Sequence, residues 1–214
     1  VYQRTLDIMV PFLAQIRDET GVTLSDLNLG GGYGVRYTQE DEAIDIPARL
    51  KELAAHLKEE TERLGLPMPR FLMEPGRSIV ADAGMTLYTV GSVKRIPGYK
   101  QYAAVDGGMT DNPRYALYQS RYTVYHAHKS GSMERFDVVG RCCESGDIIQ
   151  PGVELPGDTC RGDILAVCTT GAYNYSMASN YNRLPRPAVV MLTPDRIYEA
   201  VRRETFADLT ALDL

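Results

Sequence analysis

At 214 residues and 23.8 kDa, with 44% hydrophobic residues, the chain can bury a substantial core, which excludes a disordered polypeptide. Against 23 Lys and Arg stand 28 Asp and Glu, a formal charge of -5 with no basic block, so nucleic acid and anionic membrane are excluded as main partners. No apolar run approaches the roughly 18 residues of a membrane span, and no basic segment followed by an apolar core opens the chain, which gives the expectation of a cytoplasmic protein.

In chain order, the first element is a helix over the opening twenty residues, with Leu6, Met9, Val10, Leu13 and Ile16 at helical spacing and Gly21 as its stop. "VTLSDLNL" follows as a short strand running into "GGG". "DIPARLKELAAHLKEETERLG" is a second helix, with Pro47 in its first turn and Gly65 at its end, and "RFLME" is a second strand. Helix, strand, helix, strand predicts βα units on a parallel sheet. Beyond about residue 84, β-branched and aromatic runs alternate with Gly, Pro and Asp turns: "TLYTVGSVKRI", "QYAAVDGG", "RYTVYHAH", "RFDVVGRCC", "DILAVCTTGAY" and "PAVVMLT". The expectation is an all-β barrel or sandwich closed by a terminal helix, "DRIYEAVRRETFADL", giving domains of 1–84 and 85–214.

Cys142, Cys143, Cys160 and Cys168 have neither CxxC spacing nor the density of a disulfide scaffold, so reduced thiols are expected. No metal site is predicted. His126 and His128 in "YHAHK" would share a strand face without an acidic or thiol ligand nearby in sequence.

Five stretches carry residues suited to chemistry. Gly30, Gly31 and Gly32 lie at the carboxyl end of a strand, where successive N–H groups can cradle an anion, although the spacing fits neither a dinucleotide fingerprint nor a Walker loop. Glu74 ends the second strand, and a carboxylate there needs a partner: a ligand nitrogen or an ion pair with Arg77. Arg114 and Tyr118 suit a carboxylate ligand or a solvated surface. Cys143 beside Glu144 suits a general acid or a structural thiol, and Tyr173 follows a strand where it can meet a phosphate or simply pack.

The order and spelling of "LNLGGGYG", "EPGRSIVADAG", "VDGGMTDNPRYALY", "CESGD" and "GAYNYSMASNYNRLPRPAVVM" resemble the second half of diaminopimelate decarboxylases, pyridoxal-phosphate enzymes with an alanine-racemase-like barrel. The resemblance implies an α/β plus all-β fold: the last strands and helices of a (β/α)8 TIM-type barrel, then a C-terminal β domain. It implies pyridoxal 5'-phosphate as cofactor, held by Gly30, Gly31, Gly32, Glu74, Pro75, Gly76, Arg77 and Tyr173, with Glu74 at the ring nitrogen. Arg77, Arg114, Tyr118, Glu144 and Tyr173 would hold meso-diaminopimelate, and Cys143 would return the proton that completes L-lysine. Cys143 would act across a homodimer with shared sites, and alternation along a strand would turn Cys142 the other way.

The Schiff-base lysine and the ring-stacking histidine of the family belong upstream. None of Lys51, Lys58, Lys94, Lys100 or Lys129 has a matching context, so the chain alone is expected to be inactive and poorly soluble without a preceding half. Two alternatives remain: a non-catalytic binding or regulatory module of the same fold, and an ornithine- or arginine-type decarboxylase. For the second, a diamine without a distal carboxylate would call for an acidic partner where this chain has "CESGD". Glu74 opposes a racemase, because that family places arginine at the ring nitrogen.

Overall fold

The computed structural model describes residues 2–214 and divides into two compact units, one ending its first stretch at Val35 and resuming over Glu42–Ile79, the other formed by Arg36–Asp41 and Val80–Leu214. In the first unit, α1 (Tyr2–Thr20) buries Leu6, Val10, Leu13 and Ala14, and the Gly21 N–H closes its end on the Arg17 carbonyl at 2.8 Å. β1 (Asp26–Asn28) is followed by α2 (Ile46–Arg63), whose first turn is capped by the Asp45 side chain accepting from the Ala48 N–H at 3.0 Å. Its last turn closes with Gly65 N–H on Glu62 O and Leu66 N–H on Thr61 O, the paired bonds of a Schellman end. β2 (Arg70–Leu72) lies parallel to β1 with Leu27 opposite Phe71. The apolar stripes of α1 and α2 meet β1 in one cluster of Leu6, Val10, Leu13, Leu27, Leu53 and Leu57, each worth about 1.5–3 kcal/mol when fully buried.

A short α3 (Arg77–Val80) leads to β3 (Met85–Arg95), β4 (Gln101–Val105), α4 (Arg114–Tyr118), β5 (Val124–His126), β6 (Met133–Val139), β7 (Ile148–Pro156) and β8 (Ile164–Cys168). These strands form one mixed sheet in the order β5-β8-β3-β4-β6-β7, antiparallel except for the parallel β4–β6 pair. Alternate residues Tyr88 and Val90, Phe136 and Val138, and Leu165 and Val167 point into a single core, as the two-residue period of a strand requires. The two edge strands approach each other, and the Tyr122 N–H just before β5 reaches Gln150 Oε1 on β7 at 2.8 Å. The sheet is therefore a nearly closed barrel and not a sandwich.

Three expectations are corrected here. No strand is predicted over 148–156, where Pro151 and Gly152 interrupt the apolar run. In fact these two residues oppose Asp137 alone, as a bulge, and the Gly152 N–H that the ladder cannot use goes to Asp137 Oδ1 at 2.8 Å. The predicted terminal helix over 195–209 is instead a five-residue strand followed by a short helix. After α5 (Asn174–Met177) and a 3₁₀ turn over Tyr181–Arg183, β9 (Val189–Leu192) pairs antiparallel with β10 (Ile197–Val201), leaving only α6 (Phe206–Thr210) helical. The Thr193-Pro194-Asp195-Arg196 turn decides this, for Thr193 N–H and Oγ1 both close on the Arg196 carbonyl, at 2.9 and 3.0 Å. Finally, His128 lies beyond β5, so the two histidines do not share a strand face. The side chain of His126 is buried and meets Asp163, a partner distant in sequence, at 3.1 Å.

Candidate functional site

The three glycines after β1 have different tasks. Gly30 and Gly32 adopt φ of +70° and +94°, backbone that side chains rarely take. Gly31 is where the chain ends of β1 and β2 come together: a methyl there would sit 2.9 Å from the Glu74 carbonyl carbon and closer still to its oxygen. The Glu74 N–H donates to Gly30 O at 2.8 Å, and the Tyr2 hydroxyl donates to Gly31 O. Asn28, which the sequence did not single out, binds both sides of this turn. Its Oδ1 accepts from Gly30 N–H at 2.8 Å and its Nδ2 donates to Glu74 Oε1 at 2.6 Å. The Glu74 carboxylate is thus held at the end of β2 by an amide. Of the three N–H groups, Gly30's is engaged, whereas among the described residues those of Gly31 and Gly32 have no acceptor. Pro75 and Gly76 follow directly, and Arg77 opens α3.

In the second unit, three loops converge. Arg114, only 5% exposed at the start of α4, places its guanidinium 5.4 Å from the Tyr118 ring centroid and bonds Ser120 Oγ at 3.3 Å. Tyr118 itself is exposed. Ahead of Arg114, the loop from Asp106 is fixed by Asp111, which accepts from Gly108 N–H at 2.9 Å and from the Tyr88 hydroxyl. Burial holds the Asp111 carboxyl above its usual range, with Tyr88 opposing.

The loop from Gly140 to Asp147 carries the thiols. Cys143 is exposed, and its N–H donates to Asn182 Oδ1 at 2.6 Å. Glu144 receives the Gly146 N–H and Ser145 hydroxyl at 3.3 Å and the Tyr181 hydroxyl at 3.2 Å. Those bonds, the backbone one first, keep its carboxyl below the ordinary range and hence ionised at neutral pH. Cys142 is half-buried; burial first, then the Asp147 carboxylate, push its thiol up to about 11. The two cysteines stand in an irregular loop beyond β6, so strand alternation, the expected basis for telling them apart, does not apply. Tyr173 precedes α5 and is exposed. From the same segment the Ser179 N–H reaches Thr110 O at 2.8 Å, linking it to the loop that leads into α4.

The structure therefore groups Gly30, Gly31, Gly32 and Glu74 in the first unit, and Cys143 and Glu144 with the Tyr181–Asn182 turn in the second. Asn28, Asp147, Tyr181 and Asn182 were not read as site residues. Asp147 could have been noticed as an acid closing "CESGD" beside glycines, and Asn28 as an amide directly before the glycine run. Among the described residues no group of three His, Cys, Asp or Glu could hold a metal ion, and no helix is long and apolar enough to cross a membrane.

A nearly closed mixed sheet whose loops present a thiol and a carboxylate, and, in the other unit, a glycine turn that meets a strand-end glutamate, together define a class. The chain belongs to the pyridoxal-dependent decarboxylases, matching the family model "Pyridoxal-dependent decarboxylase, C-terminal sheet domain" over residues 4–171. Within that family it is similar to diaminopimelate decarboxylases: that of Bacillus subtilis is 48% identical over 204 residues, 94% of this chain and 46% of that protein. The Staphylococcus aureus enzyme is 41% identical over 91% of the chain and 47% of that protein. Among solved structures, diaminopimelate decarboxylase from M. jannaschii in complex with L-lysine superposes with a TM-score of 0.87 at 33% identity, covering 98% of this chain and 47% of that one. A lysine/ornithine decarboxylase from Vibrio vulnificus complexed with cadaverine gives 0.71 at 26% identity over 85% of this chain and 48% of that one. The chain spans about half the length of the relatives it matches.

The family name implies pyridoxal phosphate, and the glycine turn fits its phosphate. Among the described residues the adjacent N–H groups of Gly31 and Gly32 have no acceptor, and the open side of Gly30 has nothing within 4 Å of where a methyl would stand. Glu74, a carboxylate at a strand end, fits a protonated ring nitrogen.

Proposed function

We propose that the chain is the C-terminal part of a diaminopimelate decarboxylase, with residues 1–84 the last βα portion of a (β/α)8 barrel and 85–214 the β domain. The reaction is loss of carbon dioxide from meso-2,6-diaminopimelate to give L-lysine. The observation that carries this reading is the exposed Cys143 thiol beside an ionised Glu144 on a loop pinned at both ends.

When bound, pyridoxal phosphate supplies an electron sink for the charge left on the α-carbon as carbon dioxide departs. Gly31 and Gly32 donate N–H groups to the phosphate, while Gly30 makes the turn and anchors Asn28. Glu74, steadied by Asn28, faces the ring nitrogen, with Pro75, Gly76 and Arg77 continuing that wall. Tyr173 contacts the cofactor from the β domain. Arg114, Tyr118 and Arg77 hold substrate carboxylate, and Glu144 binds the ammonium of the distal amino-acid end, aided by Tyr181. Cys143 holds at Sγ the proton that returns to the α-carbon, acting on the cofactor of a partner copy in a homodimer. The test is carbon dioxide release from meso-diaminopimelate by the intact protein. Cys143→Ala loses turnover by at least about a hundredfold, the scale of a general acid, and Cys142→Ala does not. Loss in Cys142→Ala alone refutes the assignment.

A further inference from the structure

Asp147 is 5% exposed and clamps two loops through one carboxylate: Oδ1 accepts from Met109 N–H and Oδ2 from Cys142 N–H, both at 2.6 Å. The clamp is built in at close quarters. A methyl at Gly108 would lie 2.6 Å from Asp147 Oδ1, and one at Gly140 would collide with the same carboxylate. Its backbone closes the loop as well, with Gly140 N–H on Asp147 O at 2.9 Å and Asp147 N–H on Glu144 O at 3.1 Å. Cys142 is thereby drawn inward, to a recess of about 340 Å³, while Cys143 is left outside on the Asn182 contact.

We infer that Asp147 is a positioning residue that makes two adjacent thiols unequal, presenting Cys143 for chemistry and holding Cys142 back as an inert thiol. The charged and titratable groups around Cys142 agree with this. Asp147 bonds it directly, Tyr181 interacts with it electrostatically, and Glu144 and Tyr102 line the same recess without adding positive charge, while hydrogen bonds with Thr110 oppose the upward shift without outweighing it. Among the described residues Lys100 is the one cation lining the recess, and it is paired with Asp137 at 2.6 Å and so does little to favour a thiolate. What Cys143 does rests on the function proposed above; the ranking of the two thiols does not.

The experiment is alkylation of the intact protein with iodoacetamide from neutral to alkaline pH, each cysteine being followed by peptide mass mapping. In the unmodified protein Cys143 reacts before Cys142, which titrates near 11. In Asp147→Asn the Cys142 profile moves to lower pH, and each unit of movement raises its thiolate fraction at neutral pH about tenfold and its labelling rate about three- to fourfold, since a less basic thiolate is a weaker nucleophile. Cys168, half-buried on β8, keeps its slow rate. Equal reactivity of Cys142 and Cys143 before mutation overturns the inference even if the variant does not fold. An unmoved Cys142 profile in a folded variant overturns it, and so does a parallel rise at Cys168, which would mean that Asp147 merely holds the domain together. A decarboxylation assay of Cys143→Ala reports separately on the proposed reaction.

Discussion

Replacing Gly31 by alanine tests whether the glycine run exists for the chain itself or only for a ligand. The new methyl would meet the Glu74 carbonyl group, 2.9 Å from its carbon, and no flexible side chain can move aside. Relief requires the ends of β1 and β2 to separate, breaking the 2.8 Å bond from Glu74 N–H to Gly30 O and loosening the Asn28 grip on Glu74. Overpacking costs about 1–3 kcal/mol and one lost hydrogen bond about 0.5–1.5 kcal/mol, so the expected destabilisation is about 1.5–4.5 kcal/mol. Gly30→Ala is the control. Its methyl meets nothing within 4 Å, and only the φ of +70° opposes it, a strain of about 1–2 kcal/mol. Urea titration of the intact protein, with and without pyridoxal phosphate, reads both variants. Gly31→Ala is the more damaging of the two and lowers stability even without cofactor. If it stays within about 0.5 kcal/mol of the parent, the range of neutral surface changes, the close approach of the two strand ends is refuted.

Asn28→Ala frees the Gly30 N–H and the Glu74 carboxylate together; loss of one charge-assisted bond, about 1.5 kcal/mol, corresponds to roughly tenfold weaker cofactor retention, measured by equilibrium dialysis. Unchanged retention would show that Asn28 plays no part in holding Glu74. Phe136→Ala, at the centre of the sheet core with no exposed surface, lowers stability by about 3–5 kcal/mol in urea unfolding, and a loss under about 1 kcal/mol would contradict a closed core. Asp163 supplies the pH test. Burial by itself would raise its carboxyl, but Lys129 at 2.7 Å, the Cys160 N–H and His126 outweigh it and hold the group well below the usual carboxylate range. A depressed folded value stabilises the fold above the unfolded value and loses that contribution as pH falls toward the folded one. The urea-midpoint gap between parent and Asp163→Asn is therefore widest above about pH 4 and closes in acid; a gap that widens on acidification would reverse the sign.

What could be read from the sequence follows the range of the interactions involved. α1 and α2 were legible because periodicity, Pro47 in the first turn of α2 and the Gly65 stop are all local, and β3, β4, β6 and β8 because alternation needs only neighbours. β7 was hidden because Pro151 and Gly152 are tolerated only when Asp137, on another strand, takes the spare N–H. β10 was misread because "IYEAV" has apolar residues at positions that suit either period. Its fate is set by pairing with β9 across the Thr193–Arg196 turn. α4 and α5, at five and four residues, are too short to leave a periodic trace.

The same distinction separates the site residues that the sequence announced from those it concealed. "GGG" announces a close approach, but not what approaches. Part of the answer is the protein itself, since Gly31 makes room for the Glu74 carbonyl and Gly30 turns the chain so that Asn28 can close on both. Among the described residues the pair of N–H groups at Gly31 and Gly32 is left without an acceptor, and it is these that fit a phosphate. The identical letters of "CC" conceal an inequality in the same way. In sequence, Cys143 is singled out only by the resemblance that "CESGD" carries, which gives no physical ground for holding Cys142 back. The difference comes from where the Asp147 carboxylate points, and that is fixed by Met109, Gly108 and Gly140 lying close around it. An acid that shapes a site by gripping backbone leaves only its identity in the sequence, so its purpose becomes visible once the loops it joins are in place.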